Sequence, residues 1–237
     1  MPLLNEYPPI RWHTITTSAE LERLTTQTIL SGAQLAIPAR GLFRIVLAGG
    51  TTPRRVYESL RNSDADWAAW HVYFGDERCL PPDHAERNSR MAALAWLDHV
   101  PIPRKQIHPI PAEAGAEAAA EEYTQTLEGI DLFDLVLLGL GEDGHTASLF
   151  PGHDPGATPE SPAVLAVHNA PKPPPDRVSL SAQRLSAARQ VMFLVTGESK
   201  RQAVKNWRNG ADIPAAAIAP ANGVDVYLEA ALLENKK

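Results

Sequence analysis

At 237 residues and a formal net charge of −6, the chain is long enough to bury a full core, and one compact domain spanning 1–237 is expected. The acidic balance argues against a nucleic-acid surface, which needs clustered Lys and Arg, so any cations that meet an anionic ligand must be local. A single cysteine, Cys79, excludes an intramolecular disulfide and a Cys-built zinc cluster; with no basic-then-apolar leader in residues 1–20 and no run near the roughly 20 apolar residues of a membrane span, a soluble cytoplasmic protein is expected.

In chain order, a helix is predicted over Ala19–Ile37, opened by Thr17 with Glu20 as a capping box. A strand follows at Phe43–Leu47, then helix Pro53–Leu60, strand Val72–Phe74, helix Ser89–Leu97, helix Ala114–Leu127 and strand Leu135–Leu138. Strands Val164–Val167, Val191–Val195 and Val224–Leu228 complete the pattern, with a helix at Lys200–Trp207. Alternation of this kind means parallel strands joined by crossover helices, hence an α/β domain with a central, mostly parallel sheet. RIVLA and DLVLLG are continuously apolar, as strands covered on both faces must be. Pro-rich stretches 101–111 and 154–175 read as ordered loops. In such sheets ligands bind beyond the carboxyl ends of the strands, so the loops there carry the functional reading.

The loop after the first predicted strand is AGGTTP. Gly49 and Gly50 permit a tight turn, Thr52 can cap, and Pro53 suits the first helical position. Free N–H groups, the positive dipole end and the hydroxyls of Thr51 and Thr52 would hold a phosphate. After the next strand, Asp76, Glu77 and Arg78 form a charged loop, and Asn88 with Ser89 starts a helix. Farther on, GLGEDGHTASLFPGH places Gly139, Gly141 and Gly144 in a GxGxxG spacing. A dinucleotide fingerprint should open a full helix, whereas here Pro151-Gly152 interrupts within two turns. The useful pair is Asp143 and His145, with His145 near a helix start and Asp143 able to orient its imidazole. A metal site from His145, His153 and Asp154 matches no ligand spacing, and no Gly-x-Ser-x-Gly elbow exists, so water is the expected nucleophile. Arg177 and Lys200 each lie near a strand end or helix start and could supply local positive charge.

Together LAGGTTP, FGDER, GLGEDGHTASLFPGH, RVSLS and VTGESKRQAV resemble one family over essentially the whole chain: the sugar-phosphate lactonases and isomerases that include 6-phosphogluconolactonase and glucosamine-6-phosphate deaminase. The resemblance implies a Rossmann-like sugar-phosphate isomerase fold. It also implies a phosphate loop at Gly49, Gly50, Thr51 and Thr52, further phosphate or substrate contacts from Lys200 and Arg177, and catalytic roles for Asp143 and His145. Ala48 and Thr51 stand where the family often has Ser, which leaves the N–H and hydroxyl donors intact. In the deaminase branch the Asp of the Asp-Glu loop removes a substrate proton, and a Glu five residues after the motif histidine supports ring opening. Asp76 is retained, but the fifth position after His145 is Phe150; that residue, Arg78 and TASLFPG look like the lactonase branch. The expected activity is therefore hydrolysis of a phosphosugar lactone in the oxidative pentose phosphate pathway by His-activated water. Arg78 or Arg177 would stabilise the oxyanion, with no metal or cofactor, in a monomer or weak homo-oligomer. The alternatives are a deaminase-type isomerase and a non-catalytic sugar-phosphate sensor domain.

Overall fold

Apolar runs separated by crossovers of helical length leave the chain one economical solution, a parallel sheet sandwiched by helices. The computed structural model describes residues 9–234; the first eight residues of the N-terminal segment and the last three residues of the chain lie outside the described range. The strands are β1 (Ile10–Ile15), β2 (Phe43–Leu47), β3 (Trp70–Phe74), β4 (Asp76–Arg78), β5 (Ile107–His108), β6 (Phe133–Gly139), β7 (Val164–Val167), β8 (Arg177–Leu180), β9 (Ala188–Val195) and β10 (Val224–Glu229). The helices are α1 (Ser18–Arg40), α2 (Thr51–Leu60), α3 (Asn88–Ala92), α4 (Ala116–Thr126), α5 (Ala182–Ser186) and α6 (Arg201–Arg208).

Seven strands form one sheet in the order β1-β10-β9-β6-β2-β3-β5, and all of its pairings are parallel. From β2 the chain builds outward through β3 to β5, then returns to lay β6 on the other side of β2. The register there pairs Ile45 with Leu135 and Val46 with Val136. The order therefore reverses between β2 and β6, and a crevice opens beyond their carboxyl ends. β2 and β6 are almost wholly buried, as their unbroken apolar sequences require. No helix among the described residues is long and apolar enough to cross a membrane.

The main core runs from Ile15 to Leu232 and covers both faces of this sheet. Near β3 it is aromatic: the Phe43–Trp70 and Trp67–Trp70 ring centroids are both 4.8 Å apart. Two fully buried tyrosine hydroxyls fix the strand ends that lead into the crevice. Tyr57 donates to the Ala48 carbonyl at 2.8 Å and accepts its N–H at 3.0 Å. Tyr123 accepts the Phe74 N–H at 2.9 Å and donates to the His108 carbonyl at 3.1 Å. Each satisfies backbone groups where the regular ladder stops.

Several elements differ from the sequence expectation. β7 belongs to a second, antiparallel sheet of order β4-β8-β7, in which Asp76 pairs with Ser179 and Arg78 with Arg177. The expected charged loop is thus a strand, and its two carboxylates are buried rather than solvated: Asp76 is 6% and Glu77 0% exposed. Glu77 accepts the Asn88 and Ser89 N–H groups and the Ser89 hydroxyl at 2.7–2.8 Å, capping α3, and pairs with buried Arg87 at 3.1 Å. β5 lies inside the first Pro-rich stretch, and β1 and α5 were not expected. α1 outlasts Ile37 by three residues because Pro38 falls in the last turn before Gly41, whose φ of 78° ends the helix. The Thr17 hydroxyl does accept the Glu20 N–H, and the Glu20 carboxylate reaches back to the Thr16 N–H. The helix expected over 89–97 is α3 followed by a π-helical turn at Ala93–Leu97.

Candidate active site

A cavity of about 480 Å³ occupies the crevice at the β2/β6 reversal. Its floor is the start of α2. Gly50 takes the N-cap position with φ 107°, a conformation that favours glycine, and its carbonyl accepts the Arg54 N–H at 3.1 Å. The helix begins at Thr51, so Thr52 is not the cap that was expected. It lies inside the first turn, where its hydroxyl bonds the Thr196 hydroxyl beyond β9 at 2.7 Å. Pro53 is likewise third in the helix, still within the turn whose N–H groups have no intrahelical acceptor. A Cβ on Gly49 would fall 2.0 Å from Asn88 Oδ1, so glycine admits the Asn88 amide over the loop. The combination of first-turn N–H donors, dipole and hydroxyls suits a phosphate.

The opposite wall comes from the turn after β6. His145 does not open a helix: the Gly141 N–H bonds the His145 carbonyl at 2.7 Å and Thr146 pairs with Leu149 in an isolated bridge. Positive φ at Gly144 (89°) and Ala147 (47°) prevents a helical run. The glycines serve this turn, for a Cβ on Gly141 would lie 2.0 Å from His145 Nδ1. Asp143 Oδ1 meets that Nδ1 at 2.5 Å, which fixes the tautomer with its lone pair on Nε2. Burial lowers the His145 pKa more than the Asp143 hydrogen bond raises it. The imidazole is therefore neutral near pH 7 and able to take a proton. Burial pushes Asp143 up, but the bonds from His145 outweigh it and keep the carboxylate ionised.

The remaining wall belongs to the small sheet. Asp76 accepts Asn88 Nδ2 at 3.0 Å and the Ser148 hydroxyl at 2.6 Å, so its carboxylate is held between two donors. Arg78 donates through Nη1 to the Glu86 carbonyl at 2.5 Å, while its buried Nε has no acceptor among the described residues. Arg177, 5% exposed, donates to the carbonyls of Lys172, Pro173 and Pro174 at 3.0–3.2 Å. Much of this guanidinium is thus committed to the strap over residues 170–176 rather than to a ligand. Lys200 also lines the cavity; burial lowers its pKa, and Glu142 opposes that shift.

The cavity therefore gathers every sequence-expected residue: Gly49, Gly50, Thr51, Thr52, Asp76, Arg78, His145, Arg177 and Lys200 line it, and Asp143 contacts His145 from behind. Lys172, Thr196 and Asn88 also line it and were missed as site residues. Lys172 sits in KPPPDR, whose single lysine amid prolines was the available signal. Thr196 directly follows β9, a position the strand-end rule covers.

Residues 16–227 match the family model described as glucosamine-6-phosphate isomerases/6-phosphogluconolactonase. A Synechocystis protein named 6-phosphogluconolactonase is 44% identical over 178 residues, covering 71% of this chain and 72% of that one. A Mycobacterium leprae protein of the same name is 37% identical, covering 88% and 89%. Among solved structures, the 6-phosphogluconolactonase from Trypanosoma brucei superposes with a TM-score of 0.82 at 28% identity, covering 97% of this chain and 99% of that one. With a family match over nearly its full length and the site at the expected reversal of the sheet, the chain belongs to the glucosamine-6-phosphate isomerase/6-phosphogluconolactonase family.

Proposed function

We propose that this protein hydrolyses 6-phospho-D-glucono-1,5-lactone to 6-phospho-D-gluconate, the lactonase step of the pentose phosphate pathway. The observation that carries the reading is the His145–Asp143 pair opening onto the same cavity as the α2 N-terminus. The substrate phosphate rests on Gly49–Thr52 with Lys200, and C1 of the lactone reaches His145. Nε2 takes a proton from water, and the hydroxide adds to the C1 carbonyl. The tetrahedral oxyanion is met by Arg78, which lines the cavity, with Arg177 behind it. As the bond from C1 to the ring oxygen breaks, the imidazolium returns the proton to that oxygen. The acid formed loses its own proton to solvent.

A general base contributes roughly 10²–10⁴ and an oxyanion donor about 10²–10³, together about 5–10 kcal/mol for a reactive ester. Phe150 argues against deamination: its ring lies 4.9 Å from the imidazole, at the position where the isomerase branch carries a carboxylate.

The test is acid release from the lactone in a pH-stat, run beside ammonia release from glucosamine 6-phosphate. Lactone hydrolysis without ammonia supports the reading, and the reverse overturns it. Because burial lowers the His145 pKa, kcat/KM should hold as pH falls through the ordinary histidine range and decline only below it, as the base becomes protonated. Loss of activity already above pH 7 would contradict a neutral-imidazole base.

A further inference from the structure

Phe150 is 1% exposed, yet it stands outside the main core. It packs with Val167, Ala170 and Leu165 in a small separate cluster under the strap. Its ring contacts two candidate working groups, the His145 imidazole at 4.9 Å and 44° and the Arg177 guanidinium, whose carbon lies 5.4 Å from the ring centroid. The second distance is within cation–π range. One side chain thus separates base from guanidinium, sets their spacing, and covers part of the imidazole against water.

We infer that Phe150 is a positioning residue for lactone hydrolysis, holding His145 and Arg177 in register and keeping the imidazole dry on that side; the inference rests on the reaction proposed above. The charged groups around the imidazole come from several elements. Asp143 bonds Nδ1 from the same turn, Asp76 on β4 favours the protonated form, and Lys172 on the strap opposes it. Arg177 on β8 lies across the Phe150 ring, and His153 meets that ring at 6.3 Å. None of these supplies the apolar cover that Phe150 does. Removing the ring admits water to the imidazole and relaxes a geometry in which displacements of an ångström matter.

The experiment compares Phe150→Leu with Val167→Ala, which loosens the same cluster without touching His145. Wild type and both variants are assayed for lactone hydrolysis from pH 4.5 to 9, with thermal melting of each. Both variants should melt lower. Only Phe150→Leu should lose roughly tenfold or more in kcat, with any rise in KM from a displaced Arg177 smaller than that loss, and the acid limb of kcat/KM should move up by about half a unit or more toward the ordinary histidine value. Equal kinetic losses in the two variants, or an unmoved acid limb in Phe150→Leu, would overturn the inference while leaving the proposed function standing. A wild type without lactonase activity would remove the proposed function itself. If Phe150→Leu fails to fold, Phe150→Met, which conserves apolar volume, carries the same readout.

Discussion

The two sheets contribute to the cavity in different ways. The parallel sheet brings the phosphate cradle and the Asp143–His145 pair to the single place where its strand order reverses, so both follow from topology. The antiparallel sheet brings Asp76, Arg78 and Arg177, all of them bonded within the protein, so its charges build the wall before any ligand arrives. Proton transfer and phosphate binding thus fall to the rigid strand ends of the large sheet, and oxyanion stabilisation and placement to the small one.

That division can be broken by mutation. The largest effect should come from His145→Ala, with kcat falling by about 10²–10⁴ and KM changing little in steady-state lactone assays; near-normal turnover would sink the proposed mechanism. Lys200→Ala should chiefly raise KM, by roughly 10- to 100-fold, the scale of one charge-assisted hydrogen bond, with kcat largely retained. Arg177→Lys keeps the charge but loses the planar fork that reaches three strap carbonyls. A rise of about tenfold in KM with a lower melting temperature is expected, and a loss of kcat rivalling that of His145→Ala would erase the distinction between the sheets. The smallest effect concerns Cys79, just beyond β4. Burial, with Asp176 adding to it, pushes its thiol up to about 11, so a thiol reagent at pH 8 should label the folded protein slowly and the unfolded protein fast.

The same division explains what could be read in advance. The Phe43–Leu47 strand and the core of β6 were legible because burial on both faces leaves an unbroken apolar signature. The cradle and the Asp143–His145 pair were legible because glycine, threonine and histidine types cluster at those strand ends. β4 was not, since three charged residues in a row read as solvated until Asn88, Ser89 and Arg87 are seen to satisfy Glu77, Asn88 and Ser148 to hold Asp76, and the Glu86 carbonyl to engage Arg78. β8 was hidden for a related reason: RVSL is short, and of its two partner strands only β7 was recognised, β4 being read as a loop. The role of Arg177 was legible only in part, because the carbonyls that engage it come from a Pro-rich loop whose path no periodicity encodes. The helix expected at His145 failed on Gly144 and Ala147, whose left-handed backbone is a property of the folded turn.

At Gly49 and Gly141, a Cβ would sit 2.0 Å from Asn88 and from His145 respectively. Both neighbours therefore live in volume that a side chain gave up. Mutational drift is closed at these two positions in a way it is not at Gly139, where a Cβ would meet nothing within 4 Å. A saturation library selected for activity should return glycine at 49 and 141 and a spread of residues at 139, so that three glycines of identical appearance in the sequence carry very different evolutionary freedom.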